Sequence, residues 1–362
     1  MYIREIRLHN FRNYVDERIS FSDKVNIILG NNGQGKTNLL EGIYLDAFGR
    51  SFKKVKDRDL IRFGEEFCRV EITGEDRYGE EEKTEIVIDR SGKKGIKVKG
   101  VKIRKTSEMM DRMFITVFSP EDLKIVKDEP ERRRRFMDRE LCQIRKGYMS
   151  NLNDYRRALK QKNAALKEES FPESLLDIWD RELALYGSRI IKKRKEYIER
   201  INVISGEIHR DISGGKENLT ISYEPSIDCT DEEEYYDEIC SCRADDMRNR
   251  STGKGPHRDD IRIEADGIDM RKFGSQGQQR TAALSLKLSE IKITEEEKGE
   301  KPVLLLDDVL SELDTDRQNF LLQKLGDNQM FITDTDIMAG VARNLPEGKI
   351  IRISDGKVDV EI

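Results

Sequence analysis

The chain has 362 residues, enough for two domains or one domain with an insertion, and is 36% hydrophobic and 38% charged. No apolar run approaches the ~20 residues that span a bilayer, and the opening MYIREIRLHN lacks the apolar core of a signal peptide, which points to a soluble cytoplasmic protein. Five cysteines without a CxxC pair and three scattered histidines argue against a disulfide framework and a zinc site, and a net charge of -5 means that any polyanion must be met by a local patch.

Residues 3–11 (IREIRLHNF) and 24–30 (KVNIILG) read as strands, the first with Ile3, Ile6 and Leu8 apolar among charges, the second a short buried run. The second runs through a glycine loop into a helix over Asn38–Phe48, where Leu39, Ile43 and Ala47 recur at helical spacing. Ile96, Val98, Val101 and Ile103 alternate with Lys97, Lys99, Lys102 and Arg104, with Gly100 at the reversal. This predicts a hairpin with one basic face, which either meets a polyanion or blunts a solvated edge.

After Pro130, Met137, Leu141, Ile144, Tyr148, Leu152, Tyr155 and Leu159 advance by threes and fours until Phe171-Pro172. A second such pattern takes in Leu176, Trp179, Leu183, Tyr186, Ile190, Ile201, Ile204 and Ile208. Each stretch is ~35 residues, about 50 Å if continuous, and the break between them predicts an antiparallel helical arm.

Gly30-Asn31-Asn32-Gly33-Gln34-Gly35-Lys36-Thr37 matches GxxxxGK[ST] between a predicted strand and helix, the context that confirms a phosphate loop. Its N–H groups and the helix N-terminus suit the phosphates of ATP, Lys36 the β- and γ-phosphates, and the Thr37 hydroxyl Mg²⁺. Val303 to Asp308 (VLLLDD) is a buried strand ending in two carboxylates: Asp307 for the Mg²⁺ shell and Asp308 to polarise the attacking water. Gly274 to Arg280 (GSQGQQR), opening the helix TAALSLKLSEI, resembles the signature motif of the ABC superfamily, with Gln276 where glycine is usual, and Ser311 to Asp314 (SELD) resembles its D-loop. That likeness implies a nucleotide sandwiched between the phosphate loop of one subunit and the signature helix of another, so that Ser275, Gly277 and Gln278 act in trans.

The segments LHNFRNY (8–14), NLLEGIYLDAFGRSFK (38–53), FSPEDL (118–123), ERRRRFMDRE (131–140), GPHRDD (255–260) and LLLDDVLSELD (304–314) resemble the RecF family of bacterial DNA replication and repair proteins. The resemblance implies an α/β ABC-type P-loop ATPase head with a mixed sheet and an inserted helical lobe. It also implies an ATP-induced homodimer, slow DNA-stimulated hydrolysis, binding to duplex and gapped DNA, and action with RecO and RecR to load RecA. Two positions depart from the wider ABC pattern. The switch position, in MFITDTD (330–336), carries Thr333 or Asp334 where transporters have a histidine, and the base is Asp308 where many have glutamate. The glutamine-loop residue has no clear place, although FSPEDL offers an equivalent turn.

These readings divide the chain into an N-terminal head part (1–128), a helical arm lobe (129–215) and a C-terminal head part (216–362). For DNA the candidates are Arg50, Lys53, Lys54, Lys97, Lys99, Lys102 and Arg104. Arg132 to Arg135 are further cations, but four consecutive helical residues cannot face one ligand. A transporter ATPase subunit shares both phosphate-loop motifs but fits the helical lobe and cationic stretches less well; a small-molecule kinase has no use for signature and D-loop motifs.

Overall fold

The computed structural model describes the chain apart from residues 54, 77, 105, 110, 111, 169–171, 336–347 and 362 and the side chains at 106, 107, 360 and 361. Among the described residues no helix is long and apolar enough to cross a membrane. The chain folds as two compact units, Met1–Asp122 with Thr294–Ile362, and Leu123–Ile293.

The first unit begins with β1 (Tyr2–Phe11), β2 (Tyr14–Ser20), β3 (Val25–Leu29), α1 (Lys36–Phe48), β4 (Phe67–Glu75), β5 (Glu81–Asp89), β6 (Lys94–Val98), β7 (Val101–Lys102) and β8 (Ile115–Phe118). The second contains α2 (Pro130–Ile144), α3 (Tyr148–Ala165), α4 (Ser174–Ser213), β9 (Leu219–Glu224), α5 (Glu232–Ser241), α6 (Arg243–Asn249), β10 (Asp260–Ala265), β11 (Ile268–Asp269) and α7 (Met270–Phe273). The boundary back to the first unit falls within α8 (Gln276–Lys298), which β12 (Val303–Asp307), α9 (Thr315–Leu325), β13 (Met330–Asp334), β14 (Gly348–Ser354) and β15 (Lys357–Glu361) follow.

Two sheets make the first unit: an antiparallel one in the order β2-β1-β4-β5-β6-β7, and a mixed one in the order β15-β14-β3-β13-β12-β8, parallel except for β15. Apolar residues of α1 pack into one core with Ile6 and Leu8 of β1, Val70 and Ile72 of β4, Leu305 of β12 and Phe331 of β13. The helix is therefore buried on nearly every side, and its Leu39/Ile43/Ala47 spacing marks only one of its buried faces.

The second unit is mainly helical with the three-stranded sheet β11-β10-β9. The first long helical pattern is two helices here, because Gly147 at φ 82° stands between α2 and α3, a backbone setting that glycine adopts without strain. The second is the single helix α4 of 40 residues. Lys162 near the end of α3 meets Asp180 near the start of α4 (2.8 Å), while Tyr148 at the start of α3 meets Arg194 further along α4 (3.1 Å), so the pair is antiparallel. Residues 216–293, expected with the ATPase head, instead pack with these helices. Ile221 N–H of β9 donates to Asn202 of α4 (2.7 Å), and Arg133 of α2 forms a buried fork with Asp260 of β10 (2.6 and 2.9 Å).

Candidate nucleotide site and signature turn

Burial of α1 between two sheets fixes the position of its N-terminus, which has no side-chain cap and no acidic residue in its first turn, so its N–H groups are left for an anion. Gly35 precedes it at φ 121°, and a Cβ there would come within 2.7 Å of the Asn13 amide nitrogen; only glycine fits. The loop is clamped from the turn between β1 and β2 and from the start of β2 by residues that motif spacing did not single out. Asn13 Nδ2 donates to Gln34 O (2.8 Å), Tyr14 OH donates to Gly35 O (2.9 Å), and Asn38 Nδ2 donates to Asn13 Oδ1 (2.9 Å). From the C-terminal hairpin, Gly356 N–H also donates to Gln34 O (3.0 Å). Asn31, Asn32 and Gly33 form the exposed rim. The buried Lys36 ammonium donates back to Gly30 O (2.6 Å) and Asn31 O (3.3 Å), which holds the charge at the loop's mouth.

Asp307, at the end of β12, accepts from the Thr37 hydroxyl at 2.8 Å. Burial pushes its carboxyl above the ordinary value and the Asp308 charge adds to that, while the Thr37 bond and the Lys53 ammonium pull it back. A hydroxyl and a carboxylate side by side at a free helix N-terminus are the hard oxygen donors that Mg²⁺ takes from protein, its remaining positions going to phosphate and water. Of the two residues at the switch position, Thr333 faces the carboxylates. Its Oγ1 accepts from Asp308 N–H (2.8 Å) and lies 3.3 Å from Asp307 Oδ1 and 3.2 Å from Asp308 Oδ1. With one proton to give, it holds Asp308 by its main chain and donates to one carboxylate at a time. Asp334, by contrast, accepts from Thr335 N–H at an exposed strand end.

In the second unit the signature residues form a capping box. Ser275 Oγ accepts from Gln278 N–H (3.3 Å) and Gln278 Oε1 accepts from Ser275 N–H (2.9 Å), so the exposed Ser275 sits at the entrance to α8 next to Gly277.

The cationic candidates differ from expectation. The hairpin forms, turning through Lys99 and Gly100 at positive φ, but its basic face is smaller than alternation implies. Lys97 and Lys102 are cross-strand neighbours, whereas Lys99 belongs to the turn. Lys97 also lies 3.7 Å from Glu85 and Lys99 3.1 Å from Glu82, so acidic β5 offsets both charges. Lys102 and Arg104 are exposed, as is Arg50 beyond the end of α1; Lys53 acts on Asp307 and so belongs beside the nucleotide site; Lys54 lies outside the described residues. The main chain at Lys53 is held by a relay. Arg12 forks onto the buried Glu41 (2.8 Å twice), Glu41 meets the Ser51 hydroxyl, and Ser51 Oγ accepts from Lys53 N–H (2.9 Å). All of Arg132 to Arg135 have acidic or carbonyl partners: Asp128, Asp260, Asp259 O and Glu131 respectively.

Residues 2–339 match the RecF/RecN/SMC N terminal domain family. Over 99% of both chains the sequence is 45% identical to the DNA replication and repair protein RecF of Agathobacter rectalis, and equally to that of Lachnospira eligens. The solved structure of the recombination mediator protein RecF with ATP, in the RecFOR pathway, matches with a TM-score of 0.91 at 41% identity, covering 100% of this chain and 97% of that one. An Smc head bound to the C-winged helix domain of ScpA, at 16% identity and a TM-score of 0.59 over 100% and 98% of the two chains, shares the fold. A likeness sustained at such identity from end to end shows that the chain belongs to the RecF family of DNA replication and repair proteins.

Proposed function

We propose that the chain is an ATP-dependent clamp that binds duplex and gapped DNA as a homodimer, releases on slow ATP hydrolysis, and assists RecA loading with RecO and RecR partners. The observation that carries this reading is the 2.8 Å meeting of Thr37 and Asp307 at the uncapped start of α1, in a chain 41% identical to a RecF solved with ATP. The whole-length likeness to RecF speaks against a transporter subunit.

The loop N–H groups from Gly30 to Thr37 bind the phosphates, and Lys36 exchanges its carbonyl partners for the β- and γ-phosphate oxygens. When bound, Mg²⁺ supplies positive charge to those oxygens, with Thr37 and Asp307 as its protein ligands. Asp308, fixed by Thr333, accepts a hydrogen bond from the attacking water and orients it. Ser275, flanked by Gly277 and held by its capping box with Gln278, meets the γ-phosphate of the partner subunit's nucleotide, which makes closure depend on ATP. DNA contacts come from exposed cations such as Arg50, Lys102 and Arg104, and phosphate contacts of this kind carry no sequence information.

Sedimentation with ATP, with and without duplex DNA, tests the reading through Asp308→Asn. The variant is expected to bind ATP, to hydrolyse it at least about tenfold more slowly, and to accumulate as a DNA-bound dimer. A variant that neither binds ATP nor dimerises makes Asp308 a metal ligand or a structural residue; a wild-type chain that stays monomeric with ATP and DNA ends the clamp reading.

A further inference from the structure

Glu217 lies in the turn between α4 and β9, its side chain 22% exposed, and none of the nucleotide-site roles above uses it. Its two oxygens have separate partners. Oε1 accepts from Gln278 Nε2 of the signature turn (2.7 Å), and Oε2 is 3.1 Å from Nε2 of His209, a fully buried residue in the last turns of α4. The other ring nitrogen of His209 lies 3.3 Å from Ser285 Oγ on α8, so the ring is wedged between the arm helix, the signature helix and Glu217.

The consequence for Ser275 follows from donor and acceptor counting. A side-chain amide presents an oxygen and an NH₂ group that can exchange places by a half-turn. A carboxylate only accepts, so Glu217 requires the NH₂ group of Gln278 on its own side and leaves Oε1 for Ser275 N–H. Gln278 N–H in turn occupies an acceptor site of the Ser275 hydroxyl, whose proton is left to donate to an anion. Without Glu217 the amide rotates freely and the box that aims Ser275 loosens.

We propose that Glu217 is a positioning residue for the trans nucleotide contact, clasping the Gln278 amide to the end of the arm helix so that the Ser275 hydroxyl is presented as a donor to the partner subunit's nucleotide. The inference rests on the trans reading of Ser275 given under the proposed function.

The test is a charge swap, read as the dimer dissociation constant with ATP beside the ATP affinity of the monomer. Glu217→Ala is expected to weaken the dimer about tenfold and leave monomer ATP affinity unchanged. Gln278→Glu keeps a residue type suited to a capping box but sets its carboxylate against that of Glu217, which pushes the side chain off Ser275 N–H, so it is expected to weaken the dimer at least as much. The double variant Glu217→Gln with Gln278→Glu restores a donor and acceptor pair and is expected to return the dimer to within about threefold of wild type. Unchanged dimerisation in Glu217→Ala, or a Gln278→Glu defect that Glu217→Gln does not relieve, overturns the proposal. Should the wild-type chain not dimerise with ATP, the clamp reading fails, and amide exchange in the monomer still decides the clasp. Protection at Ser275 and Gln278 is expected to fall in Gln278→Glu and return in the double variant; equal protection in all three overturns it.

Discussion

The phosphate loop and the helical unit answer the same requirement, a polar group held still, with different materials. At the loop the working groups are main-chain N–H groups on a helix packed between two sheets, and Asn13 and Tyr14 hold the loop by its carbonyls. In the helical unit the fixing is done by buried side-chain charges. Arg194 meets Asp138 (2.8 Å), Asp259 (3.1 Å) and Pro256 O (2.7 Å), while Lys162 meets Asp180 (2.8 Å) and Asp246 (2.7 Å). A backbone site survives most single substitutions around it, whereas a charge network fails when one member is removed, because the partner charge stays buried and unpaired.

Arg194→Ala is the strongest way to break this contrast, with an expected loss of about 4 kcal/mol from the helical unit. Trp179 on α4, the single tryptophan, reports that unit's unfolding in denaturant, while ATP binding below the transition is expected to stay near the wild-type value. Coincident loss of ATP binding and of the Trp179 signal would show the two regions to be one cooperative body. Lys36→Ala comes next. It removes the side-chain charge at the loop's mouth and is expected to weaken ATP about 100-fold, or ~3 kcal/mol, by titration calorimetry, with the Trp179 transition unmoved.

His257 sharpens the comparison through pH. Its ring is held by Tyr155 OH (2.7 Å) and Thr252 O (3.1 Å), and burial pushes its pKa down to about 4, with Arg258 and Arg134 adding to the shift. The unfolded chain binds that proton near 6.5, so stability is complete above that pH and is lost as the pH falls toward 4, by an amount on the order of 2 kcal/mol at pH 5. His257→Gln is expected to flatten the fall in the Trp179 transition between pH 7 and pH 5; an unchanged slope would place the acid sensitivity elsewhere.

The smallest effect is expected at the hairpin. Reversing Lys97, Lys99 and Lys102 to Glu should weaken duplex binding and flatten its salt dependence by less than the ~0.9 per phosphate that three free cations would give, since Glu85 and Glu82 already offset two of them. A parental slope makes the hairpin a solvated edge and directs the search for DNA contacts to Arg50.

What the sequence determined by itself depends on a few consecutive residues. The loop from Gly30 to Thr37, the carboxylates Asp307 and Asp308, the helix entry at Ser275 and the reversal at Gly100 are set by local backbone geometry, and each lies where its spacing placed it. Tertiary structure alone decided what meets across long separations. Asn13 reaches Gln34 from the turn between β1 and β2, Thr333 reaches the carboxylates from β13, Glu217 reaches Gln278 from the far end of the arm, and Glu85 offsets Lys97 from the neighbouring strand. It also assigned residues 216–293 to the helical unit, because a β-strand's alternation does not say which helix will cover it. Hydrophobic period and motif spacing record which face of an element is buried; the identity of the partner depends on packing between segments that no local pattern encodes.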